Sequence, residues 1–418
     1  MDLSSRGGVD RRRLVKWGGL AAAGLVAAGG PLASAGAGHA APTPTGSPRR
    51  DRIPRDTLPG GAYDRYVARL AAERGFSGVV MLSHQGRTVL SRSYGMADRE
   101  KGIRNHEGTA FSLSSAGKPF HAVAILQLAQ RGRVRLSDPL GEHLTGLDPE
   151  VARRVTIHHL LSGTSGLDSP AEDVQRVFQS RAEVSDHYLR RARQAKLVGV
   201  PGVPTTTHQE AEAVIPGLIV EVVTGTTYWD YVEEKIFRRC GMTGSAFYTR
   251  PQWLTDRRIA HPYMTLDDGS QVDAVRNLDK SSPDPWVLGK NPGRAFIDAP
   301  GDGGFATAPD LVRFARALGD GTLLDRPWAD VLTAAKIPHG PRSFGSYGIP
   351  ISIVEGQWMF QRAGGNPGVV ANWSIYPDTG WVGVILGNSD SEGVSLQYVI
   401  ERETQAVTGA SPGGGSGG

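Results

Sequence analysis

The chain has 418 residues, 39% of them hydrophobic and 21% charged, as is typical of a globular protein with one large or two ordinary domains. Its net charge of +4 is unevenly distributed, because residues 1–56 carry nine Arg or Lys against four Asp, a net +5, and the rest sums to −1. The remaining residues, 57–418, which we call the body of the protein, are nearly neutral. They lack the basic surface that nucleic-acid binding requires, so we expect no nucleic-acid partner. With one cysteine, the chain can form no intramolecular disulfide.

Residues 1–40 have the features of an export signal. A basic start at residues 10–16, DRRRLVK, precedes a Gly- and Ala-rich stretch with small-residue cleavage sites. Paired arginines followed by two apolar residues and Lys are typical of twin-arginine signals. A membrane anchor is the less favoured alternative, because glycines and Pro31 interrupt the apolar run and a span needs about 20 mainly apolar residues. We therefore predict a secreted or extracytoplasmic protein with no stable membrane span.

The segments that follow differ in pattern. Residues 41–61 are rich in Pro, Thr and charge, which predicts a flexible linker. Residues 62–74 have helical apolar spacing, and two apolar runs at 78–82 and 88–94 are separated by a hairpin signature. The pattern over residues 119–132 is again helical. The N-terminal part of the body thus predicts a helix, a β-hairpin and a second helix.

The C-terminal part of the body also alternates between strands and a helix. The segment from about 135 to 290 is mostly helical in pattern and predicts an all-helical insertion. The strand patterns that follow cover residues 347–354, 358–362, 369–376 and 381–386. A helix is predicted over residues 391–407, before a Gly/Ser tail at residues 409–418.

Strands at both ends of the body with helices between them predict an α/β fold. One antiparallel sheet would take strands from both ends, be flanked by the terminal helices and carry the helical insertion, all within a single domain of residues 62–408. A site in the cleft between the sheet and the insertion is the default expectation.

The segment from Phe111 to Phe120 contains the residues best suited to chemistry. If Ser115 opens a helix, Lys118 lies on the same face one turn away. A helix N-terminus favours developing negative charge, and a neutral, partly buried lysine can accept the serine proton. A bare Ser-x-x-Lys pair is weak evidence, because such pairs occur by chance on surface helices.

The sequence around this pair resembles that of serine β-lactamases of the class C type and the related DD-peptidases and family VIII-type esterases. The resemblance extends over roughly residues 62–405, and its segments follow in family order: 94–98, 111–120, 155–167, 201–202, 217–225, 236–247, 303–311 and 364–368. It implies a β-lactamase or penicillin-binding-protein-like fold, with Ser115 as the acyl-forming nucleophile and Lys118 as its partner. No phosphate loop or zinc motif is present, and we expect no cofactor and no metal.

One departure from the family pattern concerns the proton acceptor. Where the family has Tyr-x-Asn, this chain has His208, Gln209 and Glu210. An imidazole titrates near neutral pH and can accept a proton, so the base is either Lys118 or His208. Glu210 could orient the imidazole, or pair with Lys118 and keep it protonated. The alternative is that His208 and Glu210 are solvated loop residues.

A second departure lies on the strand that lines the cleft. The family carries Lys-Thr-Gly or His-Thr-Gly there, and this chain has Arg362, Ala363 and Gly364. Arg362 keeps a cation and offers a forked donor for a substrate carboxylate, unless it is simply an exposed arginine on an edge strand. By analogy with the family, the backbone N–H groups of Ser115 and Gly365 would form the oxyanion hole.

Together these features predict a serine hydrolase or transacylase that acts through a Ser115 acyl-enzyme. Its partner would be a small-molecule or peptide substrate, an amide or ester such as a peptidoglycan stem peptide, a β-lactam or a secondary metabolite. The competing hypothesis is a catalytically impaired binding protein that keeps the fold and the cleft. The presence of Ser115 and Lys118 argues against catalytic impairment, and the missing Tyr argues for it. The sequence does not indicate the oligomeric state.

Overall fold

The computed structural model describes residues 53–168, 172–204, 211–301, 303–391 and 393–409. Its strands are β1 (Gly78–His84), β2 (Arg87–Tyr94), β3 (Met96–Asp98), β4 (Ile103–Arg104), β5 (Phe111–Ser112), β6 (Tyr263–Thr265), β7 (Gln271–Asp273), β8 (Phe305–Ala306), β9 (Ile337–Gly340), β10 (Ser343–Gly345), β11 (Pro350–Val354), β12 (Gln357–Asn366), β13 (Val369–Tyr376) and β14 (Trp381–Gly387).

The α-helices are α1 (Ala62–Arg74), α2 (Pro119–Gln130), α3 (Pro149–Arg154), α4 (Ile157–Ser162), α5 (Arg181–Gln194), α6 (Ala211–Thr224), α7 (Tyr228–Val232), α8 (Arg238–Cys240), α9 (Arg250–Thr255), α10 (Ala308–Ala317), α11 (Arg326–Thr333) and α12 (Leu396–Thr408). A π-helical turn, Glu233–Phe237, joins α7 to α8. Within the described ranges, no helix combines the length and the apolar character needed to cross a membrane.

Eight strands form one antiparallel sheet in the order β2-β1-β14-β13-β12-β11-β10-β9. The N-terminal hairpin pairs with the last strand of the chain, which confirms the predicted sheet built from both ends. The hairpin turns at Gln85 and Gly86, which both have positive φ (50° and 78°). Two such residues suit the right-handed twist of the strands that they connect.

Both faces of the sheet are covered, because successive side chains of a strand point to opposite faces. In β1, Val80 and Leu82 pack with α1 and α12. On the other face, Val79 and Met81 join a larger core that includes α2, α6 and α10. The result is a three-layer α/β arrangement with the terminal helices on one side of the sheet.

Helix α2 lies in the larger core and positions the candidate site at its start. All of its residues from Pro119 to Ala129 are buried, as expected for a helix that is apolar on every side. Pro119 occupies the first turn, where its missing N–H leaves no hydrogen bond unmade. A 3₁₀ turn, Ser114–Gly117, leads into the helix and carries the candidate nucleophile.

Two parts of the chain differ from the predicted organisation. Residues 256–304, at the end of the predicted helical insertion and just beyond it, contain the hairpin β6–β7, a 3₁₀ turn and irregular loops, because the turn residues around Gly269 favour a hairpin. Ordered packing also begins inside the predicted linker: the 3₁₀ turn Arg55–Thr57 contacts α1 and α12, and Thr57 is buried.

Candidate active site

Ser115 and Lys118 meet at the junction between the 3₁₀ turn and α2. The Nζ atom of Lys118 donates a hydrogen bond of 2.7 Å to the Oγ atom of Ser115. Ser115 is partly exposed, whereas Lys118 is only 8% exposed. Ser115 is therefore open to solvent, and the buried Lys118 amine is hydrogen-bonded to its hydroxyl.

The turn before Ser115 has an unusual backbone. Ser114 has φ +47°, in the left-handed region that few non-glycine residues adopt. Its hydroxyl donates to the carbonyl of Gly365 (3.0 Å) and accepts from the side-chain amide of Asn366 (3.2 Å). The indole of Trp373 donates to the Ala116 carbonyl (3.0 Å). Such conformations persist where the surrounding contacts hold them, often at functional sites.

The edge of β12 faces this turn. Strand β12 pairs with β11 only as far as Phe360, so one edge of its last six residues is paired with no strand among the residues that the structure describes. At Gly364 the backbones approach so closely that an added Cβ would overlap the Leu113 carbonyl oxygen and the Ala116 amide nitrogen. Only glycine allows β12 and the nucleophile turn to pack in this way.

Gly365, which the resemblance places in an oxyanion hole, lies on the edge of β12 that faces the turn. Its carbonyl accepts a hydrogen bond from Ser114, so that edge of the residue points toward the turn. In an antiparallel strand, the N–H and C=O of one residue point to the same side, which directs the Gly365 N–H toward the turn as well. Gly365 is also exposed, so a substrate oxygen can reach it.

Arg362 lies in the site, but its visible partner is the nucleophile segment itself. Its Nε atom donates to the backbone carbonyl of Ser115 at 2.9 Å, and the Lys118 N–H donates to the same oxygen at 3.2 Å. The guanidinium therefore helps to hold the turn. The sequence leaves Arg362 as either a donor to a substrate carboxylate or an exposed arginine on an edge strand, and no local pattern indicates this backbone contact.

His208 and Glu210 lie outside the described residues, and their proposed roles stay predictions. Ser114 and Asn366, in contrast, are site residues that sequence reasoning missed. Their importance depends on a backbone angle and on a contact between segments that are 252 residues apart.

A polar cluster of buried Tyr347 with the partly buried His158 and Lys336 lies beside the start of α2, where Gly348 approaches the backbone of Lys118. The preceding Tyr347 has its hydroxyl 2.7 Å from Nδ1 of His158, and the Nζ of Lys336 is 3.9 Å from the centre of its ring. Burial raises the pKa of Tyr347 to about 12 and lowers the pKa of Lys336 to about 8. The Tyr347 phenol thus stays protonated at neutral pH.

Known proteins share this architecture. The family model described as Beta-lactamase matches residues 63–408. Penicillin-binding protein 4 of Amycolatopsis lactamdurans is 29% identical over 317 residues, which cover 73% of this chain and 72% of that protein. Esterase EstB of Burkholderia gladioli is 31% identical over 264 residues, 57% of this chain and 64% of the esterase. The crystal structure of a penicillin binding protein from Bacillus halodurans superposes with a TM-score of 0.68 at 26% identity, covering 82% and 98% of the two chains.

A serine hydroxyl and a lysine amine one turn apart, placed beside an unpaired part of a strand edge, form an arrangement suited to a serine hydrolase or acyltransferase. The match over most of the chain confirms the resemblance seen in the sequence. The protein belongs to the β-lactamase family, and it is a serine hydrolase or acyltransferase of that family.

Proposed function

We propose that this protein is an exported hydrolase or transacylase that acts on a small amide or ester through an acyl-enzyme on Ser115. The observation that carries the proposal is the 2.7 Å contact between the Ser115 hydroxyl and the Lys118 amine. A nucleophile within hydrogen-bond reach of a proton acceptor, with backbone donors nearby, is the arrangement that acyl transfer requires.

In the acylation step, Oγ of Ser115 forms a bond to the substrate carbonyl carbon while its proton passes to the base. The carbonyl oxygen becomes an oxyanion that the N–H groups of Ser115 and Gly365 stabilise. The bond to the leaving amine or alcohol then breaks, and the leaving group takes the proton from the base. Water or an acceptor amine then attacks the carbonyl carbon of the Ser115 ester and gives a proton to the base. The bond between that carbon and Oγ of Ser115 breaks, Oγ takes the proton from the base, and the acyl group leaves as an acid or amide.

The substrate is proposed to be a specialised one rather than a plain β-lactam or stem peptide. This part of the proposal is supported by Arg362 and Ala363, which stand where related proteins carry Lys-Thr or His-Thr. The loss of the threonine hydroxyl removes one hydrogen bond to the substrate, and the Arg362 Nε is already bonded to Ser115.

Export is proposed from residues 1–40 alone. The paired Arg12 and Arg13 precede two apolar residues and Lys16, as twin-arginine signals require. Substituting lysine for both arginines is expected to abolish export of the full chain. Cell fractionation with an antibody against residues 62–408 would measure the exported fraction. Unchanged export of that variant would exclude the twin-arginine route.

Intact-protein mass spectrometry tests the acyl-enzyme. The purified protein and its Ser115→Ala variant are treated with a fluorophosphonate and with a penicillin. We expect one adduct on the unmutated protein and none on Ser115→Ala, while a Ser112→Ala control keeps the adduct. If the unmutated protein forms no adduct with either reagent, the acyl-enzyme proposal fails and the binding-protein hypothesis becomes the better one.

The pH dependence of labelling decides between the two candidate bases. If His208 is the base, the labelling rate falls as the pH drops through the imidazole range, and His208→Ala labels far more slowly. His339, exposed on β9, provides the matched control variant His339→Ala. A flat profile together with an active His208→Ala variant would assign the role to Lys118.

A further inference from the structure

His121 is a buried polar residue near the nucleophile to which the proposed chemistry gives no role. It lies on α2, is 3% exposed, and its backbone N–H donates to the Lys118 carbonyl at 3.1 Å. Its ring atom Nδ1 is 2.7 Å from the carbonyl oxygen of Gly301. Because a carbonyl only accepts hydrogen bonds, Nδ1 carries a proton and donates it to this contact.

Gly301 lies in a loop whose described residues are Gly301, Gly303 and Gly304, and the last two form a wall of the turn that carries Ser115. The Gly303 N–H donates to the Ser114 carbonyl (3.2 Å), and the Gly304 carbonyl accepts from the Leu113 N–H (2.9 Å). An added Cβ on Gly117 would overlap the carbonyl oxygen of Gly303. A displacement of this loop would therefore displace the turn that carries Ser115.

The loop depends on anchors outside its own backbone. Gly301, Gly303 and Gly304 have φ values of +91°, +65° and +85°, and glycines lose the most conformational freedom when they are ordered. The carboxylate of Asp298 accepts from the Gly304 N–H at 2.6 Å and holds one end. His121 holds the other end, at Gly301.

We propose that His121 is a positioning residue, whose Nδ1–H fixes Gly301 and so holds the loop against the turn that presents Ser115 to Lys118. The inference rests on the proposed acyl-enzyme function and adds a residue to it. Misplacing a reacting group by about 1 Å can cost on the order of 100-fold in rate, so a lost anchor should act mainly on the chemical step.

Two amide substitutions at His121 distinguish the effect of its Nδ1 hydrogen bond to Gly301 from the effect of having any polar side chain at this position. The side-chain nitrogen of asparagine can occupy the place of Nδ1, whereas that of glutamine reaches the place of Nε2. His121→Asn and His121→Gln are assayed with p-nitrophenyl acetate for kcat and KM, and thermal melting checks that both are folded. We expect kcat of His121→Gln to fall about 10- to 100-fold with KM nearly unchanged, and His121→Asn to retain most of the activity.

The outcomes distinguish this inference from the proposed function. No turnover and no Ser115 adduct with the unmutated protein would refute the proposed function itself. If the unmutated protein is active and a folded His121→Gln variant is fully active as well, the role of His121 alone is overturned. The same conclusion follows if kcat falls equally in His121→Gln and His121→Asn while their melting temperatures are equal. If the variants do not fold, ¹⁵N NMR of the histidine-labelled protein decides: a protonated Nδ1 on His121 supports the inference, and an unprotonated Nδ1 overturns it.

Discussion

The contact between Arg362 and Ser115 shows how the neighbours of a side chain determine its role. As a residue type, arginine on the cleft strand suggests a carboxylate partner, but its Nε is bonded to the carbonyl of the nucleophile. The two roles predict different kinetics, because a backbone anchor acts on every substrate and a carboxylate partner acts only on anionic ones.

We expect Arg362→Ala to lower kcat about tenfold even for a neutral p-nitrophenyl ester, with little change in KM, because the lost charge-assisted hydrogen bond frees the Ser115 turn. Steady-state kinetics would measure this, with the exposed Arg342→Ala as control. Full activity on the neutral ester, with a raised KM only for substrates that bear a carboxylate, would instead support the carboxylate role.

The packing of β12 on the 3₁₀ turn is the contact between secondary structure elements on which the site depends. The strand continues to Asn366, past the run that its apolar residues predict, and its last residues pair with β13 and contact the turn. Gly364 permits the close approach, since any larger residue would meet two backbone atoms of the turn.

Gly364→Ala is therefore expected to lower the free energy of unfolding by about 1–3 kcal/mol and to abolish labelling of Ser115, because the strand must move away from the turn. Urea denaturation and fluorophosphonate labelling would measure the two effects. Gly319→Ala is the matched control, because an added Cβ there has no atom within 4 Å. Normal stability and normal labelling of the Gly364→Ala variant would show that the turn adapts without cost.

At the scale of the whole domain, we expect stability to depend on the ionisation of one buried carboxyl group, that of Glu403. Glu403 of α12 is fully buried against β14, where an added Cβ on Gly383 would overlap its carboxyl group. Burial raises the pKa of Glu403 from 4.5 to about 8. Between these pH values the folded protein holds a proton that the unfolded chain releases, so the free energy of unfolding falls as the pH rises through this window.

We expect Glu403 to contribute up to about 1.4 kcal/mol per pH unit to this slope, and Glu403→Gln to lose that contribution and to be more stable than the unmutated protein at pH 8. Urea denaturation at several pH values between 5 and 8 would measure it. The exposed Glu401→Gln, on the same helix, should leave the slope unchanged. Parallel curves for Glu403→Gln and the unmutated protein would contradict this account.

Several features could be predicted from the sequence because they depend on short-range patterns. The apolar run of β1, the turn at Gln85 and Gly86, and the apolar run of α2 are each contained within about a dozen residues. The three-residue spacing of Ser115 and Lys118 is equally local, since one turn of helix brings the two side chains together. Strands β9 and β10 were missed, because they are short and only partly buried.

The tertiary structure alone decided what surrounds the pair. Arg362 reaches Ser115 across 247 residues and His121 reaches Gly301 across 180, and no local pattern encodes either contact. Both depend on a sheet that pairs β1 with β14, which sets where β12, Gly301, Gly303 and Gly304 lie relative to α2. The sequence by itself predicted the antiparallel-sheet fold and the one-turn spacing of Ser115 and Lys118, because the strand, helix and motif patterns that carry them are local. The positions of the supporting groups follow from the packing of distant segments.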